Sequence, residues 1–231
     1  MSTDLLWKKQ FKFLRLKEFI FILGNIGIGS SLLPILSLLI IRFFRKLSIH
    51  NRIIKLTAAF YGIFNLIILL FYHYLTQYQD LVVNIYSIIE FILLMIFYFQ
   101  IQEDRIFKRF LIYIIPLFLG FSFYSFYILK VNENYLILNL FEKIILFTTS
   151  LLYILRLYKY NQYKNLTYNT PYFYTIVSIM FYNASTFFIS IFENFIRNDG
   201  TNVYMFLWPI FQISGILYYT FFAIGLWKQR D

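Results

Sequence analysis

Residues 81–100 read LVVNIYSIIEFILLMIFYFQ, from Leu81 to Gln100. About 20 consecutive apolar residues in a helix cross the ~30 Å hydrocarbon core of a bilayer, and this run is of that length. A membrane β-barrel would instead show ~10-residue segments of alternating hydrophobicity, a pattern absent here. The one ionisable acid in the run is Glu90. A charge at the centre of a spanning helix costs about 2.5–3.5 kcal/mol on insertion scales, so this carboxyl must face other protein groups, face water or hold a proton.

Runs of the same kind recur on either side: Phe19 to Ile41, Leu56 to Thr76, Phe110 to Leu129, Leu136 to Leu157, Pro171 to Asn194 and Val203 to Trp227. They predict an all-α membrane protein, a bundle of about seven transmembrane helices with short loops, in which residues 18–231 form a single domain. Composition agrees: 60% of residues are hydrophobic and 14% charged, against about 25% charged in soluble domains, and mean hydropathy is +0.66. The first run is too long for a signal peptide and has no small-residue cleavage site before Arg42, so it reads as a span. Within it Gly24, Gly27, Gly29, Ser30 and Ser31 predict close helix packing, and Pro34 a kink. Residues 1–17 interleave Lys8, Lys9, Lys12, Arg15 and Lys17 with Leu5, Leu6, Trp7, Phe11, Phe13, Leu14 and Leu16, a basic amphipathic segment suited to a membrane surface or a solvated lead-in to the first helix.

The formal net charge is +10, but the basic residues form short clusters between apolar runs. They report orientation, and no nucleic-acid partner is expected. The loops after the first, third and fifth runs, with the tail, hold Arg42, Arg45, Lys46, Arg52, Lys55, Arg105, Lys108, Arg109, Arg156, Lys159, Lys164, Lys228 and Arg230; the opposite loops hold Lys130 and Arg197. The positive-inside rule places the C-terminus in the cytoplasm. With seven spans the N-terminus then lies outside, against the sign of its own basic residues. Either the later loops outvote it, the reading adopted here, or the first run does not span and there are six helices.

Polar side chains recur on helical spacing inside these runs. In the third, Asn84, Tyr86 and Ser87 precede Glu90, with Tyr86 and Ser87 on its face by i, i+4 and i, i+3 spacing. Asn139, Glu142, Thr149 and Tyr153 form a stripe on the fifth, with Lys143 beside it and Glu142 at a depth close to that of Glu90. The sixth carries Thr175, Ser178, Tyr182, Ser185 and Glu193 with Asn183 and Thr186 at the margin. The seventh carries Trp208, Gln212 and Tyr219, and the second Asn65 and His73. The expected ligand-binding set is Asn84, Tyr86, Ser87, Glu90, Glu142, Tyr182, Asn183, Trp208 and Gln212, lining a polar cavity that opens outward with Glu90 at its floor. The competing reading gives Asn, Gln, Ser and Thr a bridging role, at ~0.6 kcal/mol per interhelical hydrogen bond. Lys143 either snorkels to the outer boundary or reaches Glu90 as an ion pair.

Several chemistries are disfavoured. Zero cysteines exclude disulfides, thiol catalysis and Cys-ligated metals. With only His50 and His73, a three-histidine zinc hydrolase is improbable. No G-x-S-x-G, P-loop or H-E-x-x-H is present, and the Gly-x-x-Gly-x-Gly spacing at 24–29 lies inside a helix and follows no strand. Residues 203–226 lack the lysine a retinal Schiff base needs. No catalytic residue, metal or cofactor is assigned.

The pattern Asn84-x-Tyr86-x-x-x-Glu90-Phe91, with Thr170-Pro171-Tyr172-Phe173-Tyr174 opening the sixth run and Tyr182 after it, resembles a family of uncharacterised seven-span bacterial inner-membrane proteins. Tyr174 stands where that family is expected to have Trp. The resemblance implies a seven-helix bundle in the inner (plasma) membrane and no particular activity. The functional expectation is a receptor-like or sensory protein that binds a small ligand or membrane lipid and acts on a cytoplasmic signalling partner. The alternatives are a small proton-coupled transporter with Glu90 titrating, an intramembrane lipid enzyme, and a structural subunit of a membrane complex.

Overall fold

The computed structural model describes residues 18–19, 21–44, 52–75, 79–128, 131–161, 172–199 and 201–228. The basic segment 1–17, His50 and most of the loop between Asn161 and Tyr172 lie outside the described residues, as do the side chains of His73 and Glu193. Among the described residues the regular structure is helical: α1 (Leu33–Phe44), α2 (Arg52–Leu75), α3 (Gln79–Ile101), α4 (Arg105–Ile128), α5 (Val131–Asn161), α6 (Phe173–Asp199) and α7 (Thr201–Lys228). Helical residues 21–31 precede α1, separated from it by a turn at Leu32. That break falls two residues before Pro34, whose ring removes a backbone donor and crowds the preceding turn, as the expected kink required.

Six segments are long and apolar enough to cross a membrane: Phe21–Ile41, Asn84–Ile101, Arg105–Ser125, Ile137–Lys159, Phe173–Phe192 and Leu207–Lys228. The first run, whose membership the charge pattern put in question, is among them. The helix outside this set is α2, although its 24 residues measure about 36 Å at 1.5 Å per residue.

The burial pattern is inverted relative to a soluble domain. Large apolar side chains point outward, Ile106 being 75% and Tyr113 72% exposed, whereas Glu142, Thr149, Ser150 and Thr175 are fully buried. In hydrocarbon the outer surface gains nothing from being polar and polar groups gain from being inside, so this is the arrangement a lipid solvent selects. The fold is that of a multi-pass integral membrane protein.

Helices pack in the cyclic order α1, α2, α3, α5, α6, α7 and back to α1, with α4 docked outside against α3 and α5. The tightest seams lie where a side chain is missing. A Cβ on Gly62 of α2 would collide with Ile35 of α1, and one on Gly225 of α7 would collide with the Thr175 side chain of α6 and meet its backbone nitrogen at 3.0 Å. Pro116 lies inside α4 and Pro209 inside α7, and both helices run on through them, as spanning helices tolerate.

Aromatic residues fill the ring. Phe91 of α3 stacks on Phe118 of α4 with centroids 3.9 Å apart. Tyr61 of α2 meets Tyr218, Tyr219 and Phe222 of α7 edge to face at 5.5–5.7 Å. One end of the bundle is tied by Asp104, which caps α4 by accepting from the backbone N–H groups of Ile106 (2.7 Å) and Phe107 (3.4 Å). The same carboxylate pairs with Arg156 of α5 at 2.5 Å, and the Arg156 guanidinium lies 4.9 Å from the Phe107 ring. At that end too, Lys228 donates to Tyr174 at 3.0 Å.

Among the described residues many serine and threonine hydroxyls bond within their own helix, where the competing expectation had them bridge to another. Ser30, Ser31, Thr57, Ser122, Ser178, Ser185, Thr186 and Ser214 donate to carbonyls three or four residues back on their own helices. For these residues a local carbonyl satisfies the donor without constraining a neighbouring helix, whereas the Ser125, Thr149 and Thr175 hydroxyls are buried without a hydrogen-bond partner. The interhelical exceptions include Asn139 of α5 donating to Ser190 of α6 at 3.2 Å and Tyr98 of α3 with Ser150 of α5 at 2.6 Å.

Candidate functional site: a buried carboxyl centre

Two acids anchor the polar interior, one on α3 and one on α5. Glu90 is buried and accepts a hydrogen bond from Tyr61 of α2 at 2.9 Å. The Tyr218 hydroxyl of α7 lies 3.4 Å from the same carboxyl oxygen and in contact with the Tyr61 hydroxyl, and its one proton goes to one or the other. One turn earlier on α3, Ser87 turns to the other acid and donates to Glu142 of α5. Glu142 in turn pairs with Lys143, whose Nζ lies 3.4 Å from its Oε1.

The Lys143 ammonium also sits 5.7 Å from the centroid of the Tyr182 ring on α6. Tyr182 stacks on Tyr218 with centroids 4.6 Å apart and planes at 20°, which brings the path back to Glu90. Side chains from α2, α3, α5, α6 and α7 thus close a circuit: Tyr61, Glu90, Ser87, Glu142, Lys143, Tyr182, Tyr218.

Helical spacing explains how α3 serves both acids. Ser87 and Glu90 are three residues apart and share a face, and that face points between α5 and the α2–α7 pair. Tyr86 swings to the α2 side, where its ring lies 5.3 Å from Phe60 and 4.6 Å from Phe64. Tyr219 is in side-chain hydrogen-bonding contact with Tyr86 and Asn65, and Asn65 also donates to the Tyr61 carbonyl at 2.7 Å. Glu90 therefore lies among tyrosines, with the hydroxyls of Tyr61 and Tyr218 turned toward it.

Of the residues expected from sequence, Ser87, Glu90, Glu142 and Tyr182 meet in this circuit and Tyr86 flanks it. Asn84 is buried one turn from Ser87, its side-chain carbonyl without a hydrogen-bond partner. Asn183 is likewise buried; it donates to the Ile179 carbonyl of its own helix at 2.7 Å and leaves its side-chain carbonyl unpartnered. Trp208 stands farther along α7, stacked on Phe211 at 5.7 Å. Gln212 turns to the opposite seam, its Oε1 against Gly27. On α7 Trp208 and Gln212 lie ten and six residues before Tyr218.

Lys143 follows neither sequence expectation. It is buried and does not snorkel, and its ion pair is with the adjacent Glu142 and not with Glu90. Tyr61 and Tyr218, the direct partners of Glu90, went unrecognised in the sequence, where nothing distinguishes them among 21 tyrosines. The usable signal would have been a phenol at mid-span on two different helices, each a group that requires a partner when buried.

Among the described residues no group of three or more His, Asp or Glu is placed to hold a metal. The chemistry available is that of two carboxyls, one ammonium and phenolic hydrogen bonds in a water-poor interior. Such a centre can exchange a proton, or hold a small polar or cationic group. By fold and interior the chain is classed as a multi-pass membrane protein with a charged core. No family model, curated protein or solved structure matches it.

Proposed function

We propose that this is a seven-helix integral membrane protein of receptor-like type that binds a small ligand or lipid at the Glu90–Glu142 centre. In this reading α2 is the remaining span, the N-terminus lies outside and the C-terminus faces the cytoplasm of a bacterial inner membrane. The observation that carries it is the investment in the centre: two carboxyls and an ammonium buried where each costs several kcal/mol, held by side chains from five helices. A fold that needed only cohesion would be served by apolar packing at these positions.

The unpartnered carbonyls of Asn84 and Asn183 are acceptors open to a ligand donor. Output would pass through helix ends to a separate cytoplasmic protein, and the basic inner loops are the surface it would use. A second reading, a small proton-coupled carrier, is favoured by one specific feature, the excess of carboxyls over ammonium groups in the centre.

The test is native mass spectrometry of the protein released from lipid nanodiscs. A bound small molecule or a defined lipid retained by the native chain and lost from Glu90→Gln, at equal yield of folded protein, supports the receptor reading. Identical adduct patterns in both proteins refute it. Uptake of solute driven by a pH gradient in proteoliposomes, abolished in Glu90→Gln, favours the carrier instead.

A further inference from the structure

The charges of the centre do not balance as the protein is drawn. Glu90 and Glu142 are both buried, and the ammonium of Lys143 sits beside one of them. Phenols and the Ser87 hydroxyl supply hydrogen bonds and no charge. Among the described residues the titratable and charged groups that face the pair are Tyr61 on α2, Tyr86 on α3, Lys143 on α5, Tyr182 on α6, and Tyr218 and Tyr219 on α7. Lys143 is the one cation among them. On the α4 side the filling is aromatic, Phe118 against Phe91. An interior of low polarity does not hold a net charge without a counter-charge.

We propose that the Glu90–Glu142 centre is a single-proton site: two carboxyls and one ammonium that together keep one exchangeable proton. This deepens the carrier reading, on whose feature it rests, and it stands or falls without reference to flux. Ser87 donates to Glu142 and lies one helical turn from Glu90 on the same face of α3, and Lys143 stands beside Glu142, so the two carboxyls and the one ammonium belong to one buried group of side chains. The proton leaves as H⁺ to a water or a phenol-linked acceptor and returns by the same route, so no other reactant is consumed.

The count of protons equals the carboxyls in excess of ammonium groups, and each variant changes it by a known integer. Infrared spectroscopy of the protein in nanodiscs at neutral pH reads the C=O stretch of a protonated carboxylic acid, which a carboxylate lacks. The native chain shows one such group that shifts in heavy water and is lost on alkalinisation. Glu90→Gln and Glu142→Gln each abolish it, because the remaining carboxylate is matched by Lys143. Lys143→Met doubles it, and Glu142→Gln with Lys143→Met restores one. A native spectrum without the band, a band that survives both Gln variants, or Lys143→Met leaving its intensity unchanged overturns the proposal. So does replacement of the proton by a sodium ion, seen as a band present only when sodium is withheld. Failure of pH-driven uptake with these band counts intact would reject the carrier reading and leave the proton site standing.

Discussion

Replacing Lys143 by methionine is the most informative single perturbation of the centre. Methionine keeps the length and apolar volume of the lysine stem, so the packing on Tyr182 is nearly conserved and the change is almost purely electrostatic. The ammonium stands 3.4 Å from Glu142, and at an effective dielectric of ~20 two unit charges at that separation interact by about 5 kcal/mol. Measured losses on removing one partner of a buried ion pair agree, at about 3–5 kcal/mol, because the other charge is left uncompensated. For a chain of this size that corresponds to a fall of roughly 10 °C in the unfolding midpoint.

The assay is thermal unfolding in nanodiscs, followed by tyrosine and tryptophan fluorescence. The double variant Glu142→Gln with Lys143→Met should recover most of the loss, since it removes the orphaned charge with its partner. A single variant within about 1 kcal/mol of the native chain, or a double variant no more stable than the single, would refute the claim that this pair is buried and mutually compensating.

Other outcomes follow from neighbouring geometry. Tyr61→Phe removes the phenol that donates to Glu90 at 2.9 Å and should cost about 1.5–3 kcal/mol, the range for hydrogen bonds to charged groups; Tyr218→Phe, whose hydroxyl is 3.4 Å from Glu90 and in contact with that of Tyr61, should cost less, and the double variant should fall short of the sum. Gly225→Leu should disrupt the α6–α7 seam and lower folded yield, since its Cβ would meet the Thr175 backbone at 3.0 Å, with Gly225→Ala intermediate, as read by size-exclusion chromatography in detergent. Arg156→Ala should change the unfolding midpoint little, under about 1 kcal/mol, because its ion pair with Asp104 is more than a third exposed.

The helices were legible because bilayer thickness imposes a length that hydropathy reports directly: the run from Leu81 to Gln100 and α3 (Gln79–Ile101) agree to within two residues at either end. Glu90 and Glu142 were legible for the same reason, an acid at membrane depth being too costly to be incidental. Tyr61 and Tyr218 were not, because tyrosine is at home on a lipid-facing surface, at an interface or in a polar core, and a one-dimensional pattern does not say which. Lys143 was misjudged because its stem length permits snorkelling, and only the packing of α6 over it shows that the route is closed. Gln212 meets Gly27 through helix rotation: it lies six residues before Tyr218, about a third of a turn away around the same helix, and so faces the seam with the first span.

The outward-opening cavity expected from the sequence, on which ligand access to the Glu90–Glu142 centre depends, can be tested on a chain that carries no native cysteine. Tyr86→Cys, Glu90→Cys, Tyr182→Cys and Gln212→Cys, made singly and exposed in intact cells to a membrane-impermeant thiol reagent, measure that approach. The account predicts labelling from outside at positions 86, 90 and 182, slowest at 90, where the side chain is most buried. Absence of labelling at all of these positions in folded protein would contradict it.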